Sequence, residues 1–272
     1  MKIRVTHKTV YRYDQPIDFS FQAIRMTPRS FVGQRILSWQ VTETNEGVLP
    51  TYLDGFCNVV SLLTILRGHE EAHIVAQGVV DVTDQKGIVN NAPESLPPLF
   101  FLRKSGRTEM SDGLRDLAHA VTEKDPVAKM HELMKGIHEH VRYDADATHV
   151  QTTAAQALDK GAGVCQDHAH IFIACARELG FPARYVSGYL LSHDPGPEET
   201  FEASHAWAEA YLDPLGWIGF DPANQVCPTD NYIRTAIALD YDGAAPVRGV
   251  RRGIAEESLA VTVSVQQTTA DQ

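Results

Sequence analysis

Apolar and polar residues alternate along the first part of the chain. In "KIRVTHKTVYRY" the residues Ile3, Val5, His7, Thr9 and Tyr11 share one face, and a period of two is the signature of a half-buried strand. "ILSWQVTET" (36–44), "NVVSLLTIL" (58–66) and "AHIVAQGVVDVT" (72–83) follow, separated by Gly, Asn, Asp and Pro. Short strands at this spacing predict an all-β, sandwich-like module over residues 1–100. "NNAPESLPPLFF" (90–101) then gathers prolines, and the domain boundary is drawn there.

Past it, over residues 101–272, the period becomes helical. Ser111 or Asp112 caps "GLRDLAHAV", and Pro126 opens "VAKMHELMKGIHEHVRY", where Val127, Met130, Leu133, Met134 and Ile137 follow helical spacing. A third helix is expected to begin around Cys165. Its residues Ala169, Phe172, Ile173, Ala176 and Leu179 form a stripe that predicts an amphipathic helix with one core-facing side. Gly180 suits its C-terminal cap, and Pro182 keeps it from continuing. "RYVSGYLL", "HAWAEAYL" and "GWIGFD" then read as strands. The tail "SLAVTVSV" reads as one more, its sheet unassigned. The fold class is α+β: an all-β module, then a helix packed on an antiparallel sheet.

Composition narrows the function classes. Of 272 residues, 43% are apolar and 22% charged, which suits packed soluble domains. Lysine and arginine total 24 against 35 acidic residues, a net charge of -11, which argues against a nucleic-acid partner. No apolar run reaches the length of a membrane span, and the first residues lack a signal peptide's apolar stretch. Cys57, Cys165, Cys175 and Cys227 show no C-x-x-C spacing. A cytoplasmic protein with free thiols, no membrane partner and no metal is expected, and homo-oligomerisation is left open.

Cys165 stands out. It follows Gly161 and Gly163 and falls at the expected start of a helix, where unpaired amides and the helix dipole favour a thiolate. The same amides can hold an oxyanion. Downstream, "SHAWAEAYLDPLGWIGFDPAN" places His205, Trp207, Glu209 and Tyr211 on one strand face. A turn at 213–216 then brings Asp221 back opposite or diagonal to His205. Asp221 would fix the tautomer of His205 and stabilise its charged form.

"GAGVCQDHAHIFIACARELGFPARYVSGYL" followed by "SHAWAEAYLDPLGWIGFDPAN" resembles the core of the bacterial transglutaminase-like superfamily, whose members are often labelled cysteine proteases. The family's Cys, His and Asp fall on Cys165, His205 and Asp221, in the patterns G-x-C, S-H-A-W and F-D-P. "TVYRYDQPIDFSFQAIRMTPR" and "GQRILSWQVT" resemble the β-rich N-terminal domain often fused to such cores. His168 departs from the pattern, which has an aromatic residue there. The resemblance implies a papain-like α+β core and acyl transfer or hydrolysis of amide or peptide bonds through a thioester on Cys165. A glutamine side chain or a peptide bond of a protein substrate would be the target, and no cofactor is implied.

Other readings stand beside this one. A second oxyanion donor is not identified, with Gln156 and Gln166 as candidates. Trp207 and Trp217 read as core or cleft walls that could shield a thioester. Cys165, His168 and His205 form a weaker metal hypothesis, since His168 and His170 point in different directions from a helix. A binding or scaffolding protein on a retired enzyme fold is the rival from another class.

Overall fold

The computed structural model describes residues 1–44, 47–191 and 204–269. The N-terminal part runs β1 (Lys2–Ile17), β2 (Phe19–Thr27), β3 (Gln34–Glu43), β4 (Gly47–Val48), β5 (Thr51–Leu53), β6 (Val59–Ile65), β7 (His69–Val82) and β8 (Ile88–Val89). Then follow α1 (Asp112–His119), α2 (Pro126–His140), β9 (Arg142–Tyr143), α3 (Ala154–Lys160), β10 (Ala162–Gly163) and α4 (Cys165–Glu178). The chain closes with β11 (Ala183–Leu190), β12 (Ser204–Leu212), β13 (Gly216–Phe220), β14 (Tyr232–Ala238), α5 (Tyr241–Ala244), β15 (Val247–Arg252) and β16 (Glu257–Gln267). No helix among the described residues is long and apolar enough to cross a membrane.

Two sheets form the sandwich, one in the order β16-β1-β7-β3-β4 and one in the order β15-β2-β6-β5. Ile24, Met26, Leu63 and Ile65 of the smaller sheet pack against Val41, Ala72, Ile74 and Ala76 of the larger. A third sheet, β14-β11-β12-β13-β8, is antiparallel throughout and carries α4 on one side. The architecture is α+β: a strand-rich N-terminal region joined to a mixed core.

Most expected elements are present, and the differences are instructive. The sequence does not mark β2 as a strand, because Ser20 and Gln22 occupy two of its buried positions and break the apolar alternation. α3 was also missed. Its seven residues are too few for a stripe, and it is held by a Thr153–Gln156 capping box.

α4 is not amphipathic: from Asp167 to Arg177 every side chain is buried, because the sheet covers one side and α1, α2 and α3 the other. Its polar side chains bond to groups of other elements, although Nδ1 of His170 has no partner among the described residues. Arg177 donates to the carbonyls of Phe101, Ala183 and Leu239 and to Thr108 Oγ1. Gly180, at φ 86°, and the Phe181 N–H donating 2.9 Å to the Ala176 carbonyl end the helix in a Schellman turn. Phe172 stacks on Phe220 of β13 at 5.2 Å between ring centroids. Truncating either buried ring to Ala would cost about 3–5 kcal/mol.

The sheets do not divide at residue 100. β8 joins the core sheet beside β13, while β15 and β16 return to pair with β2 and β1. The tail strand left unassigned above thus completes the N-terminal sandwich. Two buried amides dock the lobes. Gln34 pairs with both backbone groups of Arg234, at 2.9 and 2.8 Å, and Asn58 with both of Ile237, at 2.8 and 2.9 Å. They act as a surrogate strand along the outer edge of β14 and satisfy donors and acceptors that the sheet leaves open. Ile3, Val5, Val80 and Val82 add an apolar contact to Tyr189, Leu191 and Ile233.

Candidate active site

Cys165 is the first residue of α4. The donors that reach back to the Val164 carbonyl are the amides of Asp167 and His168, at 3.0 and 3.1 Å, so those of Cys165 and Gln166 lie ahead of the helix ladder. Asp167 holds this turn shut. Its Oδ2 accepts from Val164 N–H at 2.8 Å and from Thr148 Oγ1 at 2.6 Å. A Cβ at Gly163 would fall 2.7 Å from that same oxygen, so the loop reaches the carboxylate only because residue 163 has no side chain.

His205 is the second residue of β12 and pairs with Gly188 of β11. Its Nε2 donates to Asp221 Oδ2 at 2.6 Å. The β12–β13 ladder runs from Leu212–Gly216 to Ala208–Phe220, which sets Asp221 one step further, diagonal to His205. Asp221 is fully buried, and burial alone would raise its pKa. Hydrogen bonds from His205, Asn224 Nδ2 (2.8 Å) and the Tyr232 hydroxyl (2.8 Å) outweigh that and hold it below the ordinary carboxylate value. Its Oδ1 also accepts from the Ala223 and Asn224 amides, at 3.1 and 3.3 Å. Burial pushes the His205 imidazole down, but the negative charge of Cys165 and the Asp221 hydrogen bond raise it to about 10.

The structure therefore brings Cys165, His205 and Asp221 together off the end of the core sheet. Cys165 and His205 border a cleft of about 390 Å³. Gln166, Tyr185 and Ser187 line it from the core, and His7 and Met26 from the sandwich. His7 is neutral at pH 7, since burial lowers its pKa to about 4.

Other expected residues lie elsewhere. Gln156 is exposed and closes the cap of α3. His168 is buried, with its ring nitrogens 2.9 Å from the carbonyls of Val164 and Val141. Trp207 and Trp217 do not border the cleft. They face away from α4 and pack with Phe101, while the Arg184 guanidinium lies 3.7 Å above the Trp217 ring. The strand period puts them there: α4 covers Ala206, Ala208 and Ala210, the opposite parity of β12. Cys175 is fully buried and its thiol is pushed up to about 12.

Asn224 and Tyr232 also serve the Asp221 end of the site. Asn224 was legible in "DPAN", since an Asp followed by backbone donors two and three residues on is an Asx turn. Tyr232 reaches Asp221 from β14, and no local pattern marks it.

Residues 115–222 match the transglutaminase-like superfamily, and residues 3–81 match the bacterial transglutaminase-like N-terminal region. The chain therefore carries a transglutaminase-like core behind a bacterial transglutaminase-like N-terminal region. An uncharacterized protein of Mycobacterium leprae is 29% identical over 97% of this chain and 98% of its own length. A protein-glutamine gamma-glutamyltransferase of Pseudomonas aeruginosa is 33% identical over 36% of this chain and 16% of its own. Among solved structures, the "Putative Cysteine Protease from Cytophaga hutchinsonii" aligns with a TM-score of 0.77 at 24% identity, covering 99% of this chain and 92% of that one. At that identity the likeness speaks for the fold.

Proposed function

We propose that the protein is a thiol-dependent enzyme that hydrolyses or transfers amide-bound acyl groups through a thioester on Cys165. The observation that carries the reading is the 2.6 Å His205–Asp221 pair beside a cysteine in the first turn of a buried helix. With Nε2 on Asp221, Nδ1 is the ring nitrogen left for the thiol. The charged His205 holds the thiol's proton on Nδ1, so Cys165 Sγ attacks the carbonyl carbon as the thiolate, and the carbonyl electron pair moves to oxygen. Collapse breaks the C–N bond as Nδ1–H protonates the leaving nitrogen. Neutral His205 then takes a proton from water or an amine, which attacks the thioester, and Sγ leaves as the thiolate beside the recharged His205. Asp221 keeps the imidazole oriented and stabilises its cation.

A protein or peptide is the proposed substrate, with a glutamine carboxamide or a backbone amide as the acyl donor. The glutamine reading draws on the name of the Pseudomonas relative. The test is mass spectrometry of glutamine-containing peptides incubated with the protein and a primary amine, with Cys165→Ala as control. Cys165-dependent backbone cleavage means a protease. An intact backbone with a modified glutamine means a transamidase or deamidase. Identical spectra for the two proteins, with a Cys165 alkylation profile unchanged in His205→Ala, would sink the enzyme reading in favour of a scaffold.

A further inference from the structure

The tetrahedral intermediate on Cys165 places its charge on the former carbonyl oxygen, and one donor, the Cys165 amide, is at the helix tip. A further donor can reach it from the wall of the cleft. Gln156 is occupied on another helix. Most hydroxyls beside Cys165 already have partners. Ser187 Oγ donates to the Ala244 carbonyl at 2.6 Å, and Thr235 Oγ1 to the Ser187 carbonyl at 2.8 Å. The Tyr189 hydroxyl lies 3.1 Å from His7 Nδ1. Tyr241 borders the cleft from the short helix α5, edge-on to Tyr185 at 6.2 Å between ring centroids.

Tyr185 differs. It stands on the side of β11 that packs against α4, in the same core cluster as Cys165, and it lines the cleft. Its ring is 1% exposed, held by the His170 ring at 5.0 Å and by the Tyr241 ring, edge-on, at 6.2 Å. Among the described residues its hydroxyl has no hydrogen-bond acceptor. After burial, the charge of Cys165 is the strongest influence on it, and both raise its pKa well above the ordinary value. The phenol therefore keeps its proton, as a donor must.

We propose that the Tyr185 hydroxyl is the second oxyanion donor, acting with the Cys165 amide on the reacting carbonyl oxygen. The proposal rests on Cys165 being the nucleophile.

Two reactions of the intact protein test it. p-Nitrophenyl acetate acylates a cysteine by attack at a carbonyl, forming the S–C bond and expelling p-nitrophenolate, and this passes through an oxyanion. Iodoacetamide alkylates by displacing iodide at a saturated carbon and forms none. Tyr185→Phe is expected to slow Cys165-dependent p-nitrophenolate release by about a hundredfold. The alkylation rate of Cys165 and its pH profile are expected to stay unchanged, which also reports an intact fold. Unchanged acylation overturns the proposal. Equal losses in both reactions do so as well, because Tyr185 would then serve the thiolate or the fold. So does a loss in Gln166→Ala with none in Tyr185→Phe. Release that persists undiminished in Cys165→Ala would overturn the nucleophile reading itself, whereas a silent Tyr185→Phe beside a dead Cys165→Ala removes only the donor.

Discussion

His205 Nε2 lies 2.6 Å from Asp221 Oδ2, across a hairpin whose register carries Asp221 one step past the Ala208–Phe220 pair. The bond joins two buried groups, and burial opposes charge on each. Each charge is sustained by the other and by neighbours: Cys165 for His205, and Asn224 and Tyr232 for Asp221.

The first prediction concerns pH and this pair. The folded pKa of His205, about 10, lies above the ordinary imidazole value of 6.5. A raised pKa means the folded state holds the proton more tightly, so the stability it contributes is fully present below about 6.5 and fades as pH rises toward about 10. The unfolding free-energy difference between the wild type and His205→Gln should shrink across that window. A difference that stayed flat would contradict a charged His205. Asp221→Asn should also slow Cys165-dependent acylation at least about a hundredfold, the scale of lost acid–base assistance.

Gly188 supplies the second. A Cβ there would fall 2.6 Å from the ring of Trp207 and 2.1 Å from the Ile233 carbonyl oxygen. Trp207 in turn stacks on His205 at 6.3 Å. Gly188→Ala should destabilise by about 1–3 kcal/mol through overpacking and should slow acylation beyond what lost stability explains. Urea unfolding read beside the acylation rate checks both, and a neutral variant would show that β11 yields freely.

The docking of the lobes gives the third. Asn58 exchanges two hydrogen bonds with the backbone of Ile237, and Gln34 two with Arg234. Asn58→Ala leaves a buried amide and carbonyl unpaired and should cost about 2 kcal/mol or more. Amide exchange at Ile237 should accelerate accordingly, and full protection in the variant would mean that the lobes are held elsewhere.

The order of thiol modification is the fourth. Burial pushes Cys175 up to about 12 and Cys227 to about 11, so both should be thiols at pH 8 and react slowly. Peptide mapping after brief iodoacetamide treatment should find Cys165 labelled before either. Early labelling of Cys227 would show that burial does not hold its thiol up.

The local patterns of the chain were enough for the helix that begins at Cys165, the hairpin that carries His205 and Asp221, and the strand-rich first half. Each follows from neighbours in sequence: a glycine turn before a helical stripe, alternation on either side of a Pro-Gly turn, and repeated period-two runs. Tyr232, Tyr185 and His7 come to the site from distant strands, so nothing beside them in sequence marks them. The all-round burial of α4 was hidden for a related reason. Its polar residues read as a wet face, but carbonyls from other elements, such as Phe101 and Leu239 on Arg177, replace water there. The return of β15 and β16 to the sandwich was likewise a tertiary decision. A strand's alternation shows which of its faces is buried, but its partner is chosen by open sheet edges that only the assembled fold presents.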